Sequence, residues 1–261
     1  MKKILFPLVC IVCLLTSCLE EPGYEYSTTF SRIVTIDRES NPIRLKADLT
    51  NEVFKPNNLA SEADLDMLRL GDAKRMYATM RMDVKDYKQT LTYVDGQKID
   101  IVPVTNKTIT DSLKPLTALQ VLYMEGNISY PLAWVSEGYL NVAPTITSSG
   151  WGTYYLTPEK VKGDTLYFNL KATYASEGTL QRRDDKLQCF DLRTLRDTAT
   201  ADEAMLVKMR EVLAAMEAHR NDSMRIVLAG EFATKSNGND TIVKSAVITN
   251  YFKSYFLDDE L

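Results

Sequence analysis

The chain has 261 residues, with 31 lysines and arginines against 35 aspartates and glutamates for a formal net charge of −4. An acidic surface does not favour nucleic acid or anionic lipid, and a single histidine, His219, leaves no multi-histidine metal site and few nucleophile–base pairs. Cys10, Cys13 and Cys18 crowd the N-terminus and leave Cys189 alone in the body of the chain, so no disulfide framework is possible there.

Lys2 and Lys3 precede an apolar run over 4–15, interrupted only by Pro7 and too short to span a bilayer as a helix. This is the core of a signal peptide, and Cys10 and Cys13 inside it read as hydrophobic filler rather than a redox pair. Leu15-Thr16-Ser17-Cys18 resembles the lipobox of bacterial lipoproteins, which implies removal of residues 1–17 and acylation of Cys18. Each buried methylene of an acyl chain contributes about 0.8 kcal/mol, so three chains hold the protein without a transmembrane helix. Leu19 is not the aspartate of an inner-membrane retention signal. Glu20-Glu21 resembles the surface-export signal of lipoproteins in gut and oral anaerobes. The expected location is the outer membrane, lipid-anchored, with the body at the cell surface or otherwise on the periplasmic face. Losing Lys2 and Lys3 leaves 29 bases against the 35 acids, a net charge of −6. Residues 18–29, with Pro22, Gly23 and Ser27-Thr28-Thr29, read as an acylated tether.

In the front half, Ile33, Val34 and Ile36 predict a strand over 31–37. After the Asn41-Pro42 turn, 44–49 alternates with Leu45, Ala47 and Leu49 on one face and Arg44, Lys46 and Asp48 on the other. Residues 51–72 are polar and predict a loop with at most one helical turn. Met76, Ala78, Met80, Met82 and Val84 then alternate with Arg75, Tyr77, Thr79, Arg81 and Asp83, a strand whose methionines read as core filler rather than a soft-metal site. Asp95-Gly96 between 91–94 and 99–102 predicts a hairpin. Five strands in so short a stretch suit a small closed barrel, with 106–120 as the connection onward.

In the second half, Ala133-Trp134-Val135, a Glu137-Gly138 turn and Tyr139-Leu140-Asn141-Val142 open a series of short strands. Others fall at 153–156, 165–174, 187–195, 226–232 and 241–249, with Asn237-Gly238 as a second hairpin turn and 251–256 as its extension. Evenly spaced strands argue for a sandwich. One stretch breaks the pattern. Thr200-Ala201-Asp202-Glu203 resembles a capping box, and Met205, Leu206, Met209, Val212, Leu213 and Met216 repeat at helical spacing over 201–219. The helix either covers the sandwich or offers a methionine face to a partner.

A lipobox, a small barrel, and a sandwich entered through Trp134 and Tyr139-Leu140-Asn141-Val142 together resemble the NigD-like lipoprotein family. The resemblance implies an N-terminal OB-fold domain followed by a C-terminal β-sandwich, which on this chain gives a mainly β protein with an OB-like barrel over 30–120 and a β-sandwich over 121–261 carrying one inserted amphipathic helix. The loop at 51–72 and the helix depart from the family's pattern. The resemblance carries no activity, catalytic residue or cofactor.

No GxSxG, HExxH, P-loop or EF-hand pattern occurs, and no cofactor or metal is expected. The leading reading is a non-enzymatic envelope lipoprotein that binds a macromolecule. A carbohydrate-binding lipoprotein is the alternative, on Trp134, Trp151, Tyr154 and Tyr155, whose rings could stack on sugars. A third reading is an envelope hydrolase using paired carboxylates, for which Asp184-Asp185, Glu62 with Asp64, and Asp258-Asp259 are the candidates. Partners are thus the membrane, through lipid on Cys18, and a protein or glycan, with no nucleic acid. Asp111-Ser112-Leu113, Asp164-Thr165-Leu166, Asp197-Thr198-Ala199, Asp222-Ser223-Met224 and Asp240-Thr241-Ile242 also resemble the O-glycan acceptor tripeptide of the same bacteria.

Overall fold

A computed structural model describes residues 27–83, 90–109, 118–119, 123–124, 128–148, 152–173, 181–184, 187–236 and 239–258. Cys18, with the signal peptide and most of the tether, lies outside them.

The chain is mainly β. Strands β1 (Ser27–Asp37), β2 (Arg44–Ala47), β3 (Val53–Pro56), β4 (Arg75–Asp83) and β5 (Thr90–Lys98) form a closed barrel in the order β1-β2-β3-β5-β4, with β4 returning to β1. Within the barrel, β3 and β5 are the one parallel pair. This is the five-stranded OB arrangement. Alternation explains its inside: Val34, Ile36, Leu45, Ala47, Met76, Ala78, Met80, Leu91 and Val94 form one buried cluster. Helix α1 (Glu62–Met67) sits between β3 and β4 and adds Leu65 to that cluster, beside Leu59 and Leu70.

Three expectations for this half need correction. Residues 51–72 contain β3, which a polar setting and a closing Pro56 conceal. Asp95-Gly96 is no turn: β5 runs straight through it, with Gly96 opposite Ala78. A Cβ on Gly96 would lie 2.7 Å from the Tyr77 carbonyl oxygen, so the glycine serves close approach of two strands rather than a reversal. Finally, the barrel ends at Lys98. Strand β6 (Ile101–Pro103) already belongs to the second half, so the boundary lies well before residue 120.

Three two-residue strands follow: β7 (Ala118–Leu119), β8 (Tyr123–Met124) and β9 (Ile128–Ser129). Next come β10 (Ala133–Ser136), β11 (Tyr139–Val142), β12 (Pro144–Ser148), β13 (Thr153–Lys162), β14 (Thr165–Thr173), β15 (Gln181–Asp184), β16 (Gln188–Asp191), β17 (Arg225–Ser236) and β18 (Asn239–Ile248). Two four-stranded sheets dominate, β10-β11-β16-β6 and β13-β14-β17-β18, beside a three-stranded β15-β12-β7. The Glu137-Gly138 turn forms as expected, both residues at positive φ, and β17 pairs with β18 up to Ser236 and Asn239 on either side of 237–238. Residues 251–256 do not extend that hairpin; they form one bridge to Met224 and then a 3-10 turn, Ser254–Asp258.

Helix α2 (Glu203–Ala218) is the inserted helix. Its N-cap is Asp202 rather than Thr200, since the Asp202 carboxylate accepts from the Met205 N–H at 2.9 Å. Met205, Met209, Val212 and Met216 are buried in the one core cluster that also holds Val135, Leu140, Phe168, Phe190 and Ile226 of the two large sheets, the helix packing chiefly on β13. The methionine face is therefore covered by the chain's own sandwich, not offered to a partner helix.

The sheet β10-β11-β16-β6 is buried on both faces. Ala133, Val135, Leu140, Val142 and Phe190 face the sandwich core. Their alternate neighbours Trp134, Tyr139 and Cys189 face the barrel, in a separate cluster with Ile33, Ile99 and Tyr130. One sheet thus serves as the wall shared by the two lobes. Among the described residues no helix is long and apolar enough to cross a membrane.

Candidate functional site

Two sites emerge from this arrangement: a buried polar clamp between the lobes and an open cleft beside it.

The clamp is centred on Arg75 of β4 and Asp48, which follows β2, both fully buried. The chain turns sharply after Ala47, with Leu49 and Asn51 at positive φ, and this leaves Asp48 under the second lobe. Arg75 donates to both Asp48 oxygens, at 3.1 and 2.6 Å, to Asn141 Oδ1 at 3.0 Å and to Thr35 Oγ1 at 2.7 Å. Asp48 also accepts from the Trp134 indole N–H at 2.7 Å, and Asn141 donates to the Trp134 and Tyr139 carbonyls. The Arg75 guanidinium carbon lies 4.8 Å from the Tyr139 ring centroid, and that of Arg193, itself paired to Asp191, lies 4.3 Å from it. Burial is the largest single influence and works against the Arg75 charge, but Asp48, with smaller contributions from Cys189 and Tyr139, more than offsets it and raises the guanidinium pKa above its ordinary value. Burial pushes the Tyr130 hydroxyl up to about 12 and the Cys189 thiol up to about 12, and Tyr139 also rises. The Asp48 carboxylate, bound by both Arg75 Nη atoms and by Trp134 and sealed from water, holds the lobes together, although Arg75 Nε is left without a partner among the described residues; it has no access for a substrate.

The cleft is built by the segment that follows β18. Asn250 imitates a neighbouring strand: Val135 N–H donates to its Oδ1 at 2.8 Å and its Nδ2 donates to the Val135 carbonyl at 3.1 Å. Phe252 exchanges two backbone hydrogen bonds with Met224, and Ser254 Oγ donates to the Met216 carbonyl at 2.5 Å. With Phe252 and Phe256 buried in the sandwich core, their rings 6.2 Å apart, the alternate residues Tyr251, Lys253 and Tyr255 must face out. Tyr251 is 59% and Tyr255 54% exposed. The facing wall is Ser136-Glu137-Gly138, where a Cβ on Gly138 would lie 2.9 Å from the Phe256 ring. Glu137 reaches Lys46 of the barrel at 3.5 Å, and Asn51 and Ser223 complete a cleft of about 320 Å³.

The residues expected to bind sugar are placed differently. Trp134 is the clamp's indole and Tyr154 is in the sandwich core, so neither presents a ring face to a ligand. Tyr155 is half-buried on β13, and Trp151 lies outside the described residues. Of the carboxylate pairs, Glu62 is bound to Arg38, and Asp64 caps α1 by accepting from the Ala60 and Ser61 N–H groups, which holds its pKa below the usual range. Asp185 and Asp259 lie outside the described residues. Among the glycan-acceptor tripeptides, Thr165 is buried and donates to Asp164 at 2.9 Å, whereas Ser223 is exposed on the cleft wall. Residues 111–113 lie outside the described residues. Sequence reasoning missed Tyr251 and Tyr255 because it assigned them to a strand; the alternation of Tyr251, Phe252, Lys253, Ser254, Tyr255 and Phe256 was the available signal.

No family model matches the chain, and no curated protein matches it. Among solved structures it is similar to a Bacteroides fragilis NCTC 9343 protein described as a candidate lipoprotein. That likeness has a TM-score of 0.50 at 11% identity, covering 87% of this chain and 99% of the other. An uncharacterized protein from Parabacteroides merdae ATCC 43184 matches with a TM-score of 0.49 at 13% identity, covering 86% and 98%. At such identity the first likeness is one of fold.

Proposed function

We propose that this chain is a NigD-like lipoprotein of the bacterial cell envelope, held at the outer membrane by acyl chains on Cys18 with its body at the cell surface, and that it acts by binding rather than by catalysis. Leu15-Thr16-Ser17-Cys18 supports the anchor and Glu20-Glu21 the orientation. The barrel followed by a sandwich agrees with the architecture that the family resemblance implies. The observation that carries the binding role is the cleft: two exposed tyrosines pinned by buried phenylalanines on a segment that hydrogen bonds hold at Asn250, Phe252 and Ser254. A preformed site of this kind loses little conformational entropy on binding.

The anchor is tested by growing cells on labelled palmitate. Label should enter the wild-type protein, which should sediment with membranes, while Cys18→Ala takes up none and stays soluble. A labelled Cys18→Ala protein overturns the assignment of the lipid.

A further inference from the structure

We infer that the cleft between Ser136-Glu137-Gly138 and Tyr251–Tyr255 is a saccharide-binding site, an inference that rests on the binding-protein reading above. A pyranose presents a flat C–H face ringed by hydroxyls, and so needs an aromatic platform with donors and acceptors at its edge. Tyr251 and Tyr255 supply the exposed rings. Asn51, Ser136, Ser223, Glu137 and Lys253 line the same cleft with an amide, two hydroxyls, a carboxylate and an ammonium.

The other ligand chemistries fit less well. An apolar peptide anchor needs a deep apolar socket, but Phe252 and Phe256, which line the cleft, are buried in the core and offer it little apolar surface. A phosphate needs convergent cations; among the described residues Lys253 is the one cation lining the cleft, Glu137 stands on the opposite wall, and the nearby Lys46 and Arg225 are turned to Glu137 and to the Tyr251 ring. A site of about 320 Å³ falls at the lower end of the range for small ligands, about 300–1,000 Å³, which suits a short stretch of glycan.

The rings are also preorganised. Asn250 clamps the backbone before Tyr251, Ser254 clamps it before Tyr255, and the Arg225 guanidinium carbon stands 5.7 Å from the Tyr251 centroid. Tyrosine has only two side-chain torsions to fix, so little freedom is lost when a sugar stacks on it.

The test applies the full acylated chain, solubilised in a sugar-free detergent, to an array of bacterial, plant and mucin glycans. The wild type should retain glycans that the free sugar competes off. Tyr251→Ala and Tyr255→Ala should each weaken the best hit about tenfold while Tyr251→Phe keeps it. Tyr93→Ala, on the barrel and 48% exposed, should change nothing. Unaltered thermal melts of the variants exclude misfolding. Retention of no glycan, or equal loss in Tyr93→Ala, overturns the inference. If glycan fails but a protein cross-links to the wild type and not to Tyr251→Ala, the saccharide is wrong and the binding-protein reading stands. If neither is bound, both fall.

Discussion

Asp48, just after strand β2 of the barrel, lies 2.6 Å from Arg75 of β4, across β1 from it, and the pair is sealed from water by Trp134, Tyr139 and Asn141 of the other lobe. Neither charge can be hydrated, so each depends on the other and on the second lobe. Removing one partner leaves an uncompensated buried charge, a loss of about 3–5 kcal/mol. Arg75→Met or Asp48→Leu alone should therefore lower the urea midpoint severely, whereas the double variant recovers much of the loss because an apolar pair satisfies the same space. Urea titration of the three variants decides this. Additive losses would mean that the two side chains do not act as a pair.

Gly138 and Gly163 both adopt positive φ, but only Gly138 is crowded: a Cβ there meets the Phe256 ring, while nothing lies within 4 Å of one on Gly163. Both alanine variants meet the same left-handed backbone strain, of order 1 kcal/mol. Gly138→Ala should cost about 1–3 kcal/mol more, from overpacking against Phe256. Comparative thermal melts test the difference. Equal melting temperatures would show that Phe256 does not fix the C-terminal segment against the turn.

The buried interface also sets an alkaline limit. Tyr130 and Cys189 are raised to about 12 from ordinary values of 10.0 and 9.0, because burial disfavours their ionised forms. Folded-state values above the unfolded ones mean that the unfolded chain releases protons first, so stability is whole below about pH 9 and falls between pH 9 and 12. The urea midpoint should hold from pH 7 to 9 and drop by pH 11, less so in Cys189→Ala with Tyr130→Phe. Over the same lower range Cys189 should resist iodoacetamide until urea unfolds the chain. A flat midpoint to pH 11, or alkylation of the folded protein at pH 8, contradicts this account.

The barrel and the helix were legible in the sequence to the extent that alternation and helical spacing report burial. Met76, Ala78 and Met80 on one face of β4, and Met205, Met209 and Met216 on one face of α2, are core as read. What alternation cannot report is what covers the other face. Arg75 and Asp48 fell on the polar side of their segments, which reads as solvent. In the folded chain that side meets Trp134 and Asn141, more than sixty residues away in sequence. The same gap misplaced Trp134: an aromatic residue on a strand fits a sugar platform or a core equally well until its indole partner is known. Gly96 was misread for a related reason, because a glycine required by strand proximity and one required by a turn look alike without the neighbouring strand. Of the residues that carry the family resemblance, Trp134, Tyr139 and Asn141 prove to be the surface on which the lobes join, while Leu140 faces the sandwich core, and the turn between the two strands is one wall of the cleft.

The most direct measurement of the central claim, a body displayed outside the cell on a lipid anchor, is protease digestion of a C-terminally tagged chain on intact and on lysed cells. The account predicts loss of the tag on intact cells, with a periplasmic control protein left whole. A tag protected until lysis would contradict surface display, and with it the meaning assigned to Glu20-Glu21.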